Sequence, residues 1–186
     1  MTSWAAAATS AGARSLGVTM ALLLAVAACA PSYIPRSTYP PVGSTPVAPG
    51  DATSATIRTV IGALGAAGLQ AAETSRSFRP PEGPLLAAAP RSIVQVTMPD
   101  DPDHGFIAIY ALDSPNTALA AAKDHAAWVA SSIGRINFAP GMRFVLRVLG
   151  SNVIWFSWLP GSSPDSRLDQ IGPVLETIGE GVAVPS

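Results

Sequence analysis

Four side chains that can bind a metal ion lie within five consecutive residues: Asp100, Asp101, Asp103 and His104. Carboxylate and imidazole groups in so short a segment can bind a hard or borderline divalent cation. Pro102 and His104 interrupt the spacing of a calcium-binding loop, and Asp and Pro are also common turn residues. The segment is therefore a candidate metal site, with a simple polar turn as the alternative.

The other histidine, His125, follows Asp124 and lies three residues before Trp128. A catalytic base needs a positioned nucleophile, and the chain has no Gly-x-Ser-x-Gly turn of the kind that presents a catalytic serine. We therefore expect His125 to pack against Trp128. A serine nucleophile served by either histidine stays open, although no motif marks one.

Composition and motifs exclude several other functions. Formal net charge is −1 and 12% of residues are charged, so a nucleic-acid-binding surface is not expected. Gly62, Gly65 and Gly68 superficially resemble a phosphate loop, but they follow no predicted strand. No Walker or zincin motif is present, and we expect no cofactor.

The N-terminal segment has the parts of a bacterial export signal. Arg14 precedes an apolar run from Leu16 to Val26, which is shorter than the ~20 residues that a membrane-spanning helix needs. The run ends in Val26-Ala27-Ala28-Cys29, which contains the one cysteine of the chain. This arrangement resembles the lipobox of bacterial lipoprotein signal peptides.

The resemblance implies that residues 1–28 are removed and that the thiol of Cys29 carries a diacylglyceryl group, commonly with a second, amide-linked acyl chain. Two acyl chains hold a protein stably on a membrane. The protein would then be anchored outside the cytoplasm, on the cell membrane or the outer membrane. The alternatives are an ordinary cleaved signal and an uncleaved signal anchor.

The segment after the lipobox differs in composition from the rest of the chain. Residues 29–50 contain six prolines separated by Ser, Thr and Gly, a composition that predicts an extended tether. Residues 51–186 are a normal length for one domain. With its cysteine used by the anchor, the domain has no internal disulfide and must be stabilised by its core.

Apolar residues at helical spacing predict three helices in this domain. The first spans about 54–67, and Gly68 is placed to end it. The second begins at Ser114-Pro115, a capping residue followed by proline at the first helical position. The third begins near Ser163-Pro164 and contains Pro173, which is expected to kink or split it.

Period-two alternation predicts two hairpins. The first joins 92–98 to 106–112, and the second joins 143–149 to 152–159 across Gly150-Ser151, which suits a type II′ turn. Residues 79–84 are predicted to form a loop. The order α-β-β-α-β-β-α predicts an α+β domain of two layers, a four-stranded antiparallel sheet with helices on one face.

The second hairpin has two faces of different composition. One is nearly all apolar and is predicted to meet the helices: Phe144, Leu146, Val148, Val153, Trp155, Ser157 and Leu159. The other includes Arg143, Arg147, Phe156 and Trp158, and is more apolar than a solvated face usually is. Arg143 is expected opposite Trp158, where its guanidinium can stack on the indole.

These four residues form a candidate face for a protein partner or for self-association. The alternative is that the terminal helix or the Pro-rich segment covers this face. The sequence favours a membrane-tethered module that binds a protein or an envelope component over an enzyme. A small envelope enzyme or divalent-metal module centred on Asp100–His104 is the alternative.

Overall fold

The structure is a computed structural model that describes residues 50–185; Cys29 and the signal segment lie outside the described residues. The elements are α1 (Asp51–Ala66), β1 (Ala71–Thr74), α2 (Pro84–Ala88), β2 (Arg91–Val96), β3 (Phe106–Ala111), α3 (Pro115–Ala130), α4 (Ser132–Arg135), β4 (Arg143–Leu149), β5 (Asn152–Trp158), α5 (Arg167–Leu175) and β6 (Glu180–Gly181). Within residues 50–185, no helix has both the length and the hydrophobicity needed to cross a membrane.

The six strands form one antiparallel sheet in the order β1-β2-β3-β5-β4-β6. The α+β class and the antiparallel sheet are as predicted, but the count of four strands was wrong. The extra strands, β1 and β6, are four and two residues long. Neither is long enough to show alternation, and both are short strands at the edges of the sheet, each paired along one side only.

The second hairpin has the predicted register. Leu149 pairs with Asn152 and Arg143 pairs with Trp158. Gly150 has a φ of +58° in the turn between them, a conformation that favours glycine. The hairpin defines two ends of the sheet: the turn end, at Gly150, and the open end, at Arg143 and Trp158.

Helices cover both faces of the sheet, so the predicted two-layer arrangement was wrong. Helices α1 and α5 contribute to one hydrophobic cluster with one sheet face, and α2 and α3 contribute to a second cluster with the other. The reason is that the central strands carry large apolar side chains on both faces. Each face must be buried against another element.

Helix α1 is joined to the turn end of the sheet by buried hydrogen bonds. The hydroxyl of Thr53 donates to Oδ1 of Asn152 at 2.8 Å, and Nδ2 of Asn152 donates to the hydroxyl of Thr56 at 3.1 Å. These bonds satisfy polar groups that would be costly to bury alone. The N-terminus of α1 is thereby fixed at the turn end.

The helix boundaries follow the predicted signals in part. Ser114 caps α3 by accepting a hydrogen bond from the backbone of Thr117, with Pro115 in the first helical position. Helix α5 begins at Arg167, later than the predicted Ser163-Pro164. Pro173 lies in the last turn of α5, so it does not divide the helix. Helix α2 (Pro84–Ala88) begins at the last residue of the loop that was predicted at 79–84.

Gly172 of α5 provides space for Trp158, and this contact gives a stability prediction. A Cβ at Gly172 would overlap the indole ring of Trp158, whereas a Cβ at Gly62 of α1 meets no atom within 4 Å. We expect Gly172→Ala to lower the free energy of unfolding by about 1–3 kcal/mol. Gly62→Ala should raise it by up to about 1 kcal/mol, because alanine favours helix.

Urea unfolding of the two variants and the unsubstituted chain measures these changes. Equal stability of the two alanine variants would show that Trp158 is not confined by Gly172.

Candidate functional site

A groove of about 530 Å³ lies at the open end of the sheet, beside α5. Its lining residues come from β4, β5, α5 and the C-terminal segment: Arg143, Phe144, Trp158, Pro160, Asp169, Pro173, Glu176 and Val184. The volume of this concavity falls within the range of small-ligand sites. This groove is the candidate functional site.

Trp158 and Asp169 are the groove residues whose side-chain polar atoms form hydrogen bonds within residues 50–185. The indole Nε1–H of Trp158 donates to Oδ1 of Asp169 at 3.1 Å, and the backbone N–H of Gly161 donates to Oδ2 at 3.2 Å. The ring of Phe156 stacks on that of Trp158 with centroids 5.2 Å apart. The carboxylate of Asp169 is therefore held in one orientation by two donors.

Two charged groups of the groove have no partner among residues 50–185. Arg143 and Glu176 are exposed, and no hydrogen bond or ion pair within this range involves either side chain. Half-buried Phe144 and Val184 contribute apolar surface. The groove thus presents an unpaired cation, two carboxylates and apolar walls.

The structure separates the four residues of the predicted partner face. Arg143 and Trp158 both line the groove, but Trp158, 6% exposed, belongs with Phe156, 2% exposed, to the same core cluster. Arg147 binds the C-terminal segment, donating from Nε to the carbonyl of Ile178 at 2.6 Å and from Nη2 to that of Gly179 at 2.7 Å.

The sequence left open whether this face is exposed or covered, and in the structure α1 and α5 cover it. The terminal helix, α5, covers part of this face, as the alternative had it, and α1 covers the rest. The predicted stacking of Arg143 on Trp158 is absent. The one cation–π contact among residues 50–185 joins Arg76 to Phe106, at 5.3 Å.

The predicted metal-binding side chains do not converge. The carboxylate of Asp101 contacts Nδ1 of His104 at 2.6 Å, Asp103 forms an ion pair with Arg76 at 2.6 Å, and Asp100 is exposed. Within residues 50–185, no three or more His, Cys, Asp or Glu side chains are grouped so as to hold a metal ion. The loop has the contacts of the alternative, a polar turn.

Asp101 joins this loop to the segment before α5. Its Oδ2 accepts a hydrogen bond from the hydroxyl of Ser163, and its Oδ1 contacts His104. The bond from Ser163 lowers the pKa of Asp101 most, and the contact with His104 lowers it further. The hydroxyl of Ser163 donates to this carboxylate, whose lowered pKa makes it a weak base, and not to an imidazole. The partners are 62 positions apart in the sequence, so no local sequence signal indicates the contact.

His125 lies in α3 and is fully buried, on the face of the sheet that α2 and α3 cover. Its Nδ1 accepts a hydrogen bond from the backbone N–H of Gly83 at 3.1 Å. The ring stacks on Trp128 and lies perpendicular to Trp155, with centroids 5.6 and 4.3 Å away. Burial lowers the pKa of His125 to about 4, so the ring is neutral near pH 7.

The proton of neutral His125 is on Nε2, because Nδ1 accepts a bond. Nε2 has no hydrogen-bond partner, and neither does Nε1 of Trp155, within the part of the chain that the structure describes. His125 does not line the groove. The predicted packing against Trp128 is confirmed, and a role as catalytic base has no geometry to support it.

A buried ionic network beside His125 was not predicted from the sequence. The carboxylate of Glu82, 3% exposed, accepts hydrogen bonds from the hydroxyl of Tyr110, from Nε of Arg79 and from Nη1 of Arg91. Burial, with the adjacent carboxylate of Glu82, raises the pKa of Tyr110. Every charge in the network is paired, and none of these residues lines the groove. The network holds the segment before α2 on the sheet.

Comparison of the chain with protein-family models, with curated proteins and with solved structures gives no match. The side chains of the groove supply charge and apolar surface.

The buried, neutral His125 predicts a pH dependence of stability. Its pKa is about 4 in the folded protein and about 6.5 when unfolded, so the unfolded chain binds more protons between these values. Stability should therefore fall as pH drops from about 6.5 to 4, by about 3 kcal/mol from this residue. Urea unfolding from pH 7 to pH 4 measures the loss.

The chain has two histidines, which supplies a matched control. His125→Gln should remove this part of the loss, while His104→Gln, at the exposed histidine, should retain it. An unchanged pH dependence in His125→Gln, or an NMR titration of His125 with a midpoint near 6.5, would contradict the prediction.

Proposed function

We propose that the chain is a lipid-anchored, extracytoplasmic binding module that holds a protein or peptide-like component of the cell envelope in its groove. The lipobox-like Val26-Ala27-Ala28-Cys29 supports the anchor. The groove, with Trp158 and Asp169 fixed and Arg143 unpaired within residues 50–185, supports the binding site. It replaces the broad sheet face as the proposed surface for a partner.

The placement of the groove is the observation that carries this proposal. Helix α1 begins at the turn end of the sheet, where Thr53 bonds to Asn152, and the groove lies at the open end. A chain that runs from Cys29 to α1 therefore enters at the end opposite to the groove. The 21 residues from Ala30 to Gly50 span at most about 75 Å. Membrane attachment would leave the groove accessible.

The enzyme alternative finds less support in the same contacts. Neither His104 nor His125 lines the groove, and His125 is enclosed by aromatic rings. A metal module would need Asp101 and Asp103 free, whereas their carboxylates bind Ser163 and Arg76. We therefore favour the binding module.

The anchor predicts a specific effect of removing the thiol. In a bacterial host that processes lipoproteins, the full chain should fractionate with membranes and incorporate labelled palmitate. Cys29→Ser should lose the label, because the diacylglyceryl group attaches to the cysteine thiol. The double variant Cys29→Ser with Ser32→Cys restores a thiol outside the lipobox and should also remain unlabelled. Labelling of Cys29→Ser would overturn the anchor.

The groove predicts where a partner makes contact. A photo-crosslinking amino acid in place of Phe144, at the groove, should give a discrete adduct in cells that express the full chain. The same amino acid at Arg58, exposed on α1 and outside the groove, is the matched control and should not. Adding Glu176→Arg should abolish the adduct at position 144. An adduct from Arg58 alone would contradict the assignment of the groove.

A further inference from the structure

The charges of the groove have opposite signs on its two sides. Arg143 lies at the start of β4 and contributes a guanidinium, while Asp169 and Glu176 come from α5 and its C-cap and contribute carboxylates. No ion pair joins Arg143 to either acid within residues 50–185. A ligand that fits both sides must itself carry both charges.

The carboxylate of Asp169 is held in place before a ligand binds. Asp169 accepts one bond on each oxygen, from Trp158 and from Gly161, and each oxygen retains a lone pair. Held in this way, the carboxylate loses little conformational freedom when a cationic group binds. Glu176 adds a second negative charge about two turns further along the helix axis.

The guanidinium of Arg143 matches a carboxylate in shape as well as in charge. Its planar set of donors can bind both oxygens of a carboxylate at once. Half-buried Phe144 and Val184 supply the apolar part of the lining, while the indole of Trp158 is 6% exposed. Prolines at positions 160 and 173 complete the walls without adding backbone donors.

We infer that the groove binds a short peptide with free ends, its carboxylate on Arg143, its ammonium between Asp169 and Glu176, and an apolar side chain against Phe144 and Val184. The inference rests on the proposed function, because it names the ligand class of the same groove. The volume of about 530 Å³ falls within the range for ligands of this size.

The test uses three peptides that differ only in their end charges: Leu-Ala-Leu with free ends, its N-acetylated form and its C-terminal amide. Binding to the full chain in detergent is measured by calorimetry and by the NMR signal of the Trp158 indole N–H. The free peptide should shift this signal, since the indole bonds to Asp169. Each blocked peptide should bind about tenfold more weakly, because each loses a charge-assisted contact.

Substitutions assign each charge to its side of the groove. Arg143→Gln should bind the free and amidated peptides with equal affinity, while it still discriminates against the acetylated peptide. Glu176→Gln should reduce the discrimination against the acetylated peptide alone. Arg58→Gln removes an exposed arginine outside the groove and should change neither ratio.

Equal binding of the three peptides, or no shift of the Trp158 signal by any of them, would overturn the inference. If the crosslinker at position 144 still gives its adduct, the groove remains the binding site and only the ligand class is wrong. If both the peptides and the crosslinker fail, the groove loses its proposed function as well.

Discussion

Large apolar side chains project from both faces of the β4–β5 hairpin, and the need to bury both organises the rest of the domain. Ile154 and Phe156 point to one side, and Val153 and Trp155 point to the other. Each contributes on the order of 2 kcal/mol or more when it leaves water. Helices on one face alone would leave half of this surface exposed. The α1–α5 layer and the α2–α3 layer are therefore both required.

Because both faces of the sheet are buried, the polar groups that connect the layers need hydrogen-bond partners. Asn152 bonds to two threonines of α1, Glu82 bonds to Tyr110 and two arginines, and Asp101 bonds to Ser163. Each contact satisfies a polar group that would otherwise be costly to bury. Together they fix the segments that cross the edges of the sheet. The Asp100–His104 loop and both histidines take part in such structural contacts.

Trp158 connects the core to the groove. One side of its indole stacks on Phe156 and meets Gly172, and its N–H orients Asp169. A residue that the sequence places on an apolar face thus has a buried ring, while its polar atom forms a hydrogen bond at the groove. Arg143, its partner across the strand pair, remains exposed at the same end. The groove therefore follows from the register of the hairpin together with the position of α5.

The sequence alone determined the local features of this protein: the hairpin register about Gly150, the capped start of α3, and the lipobox-like pattern at Cys29. Each depends on residues close together in the chain, whose turn and capping chemistry is local. Tertiary structure decided what local pattern cannot: the short edge strands β1 and β6, the second helical layer, and the presence of Arg143, Asp169 and Glu176 in one groove. Those features depend on contacts between distant segments, because an apolar strand face looks the same in sequence whether a helix or a partner covers it.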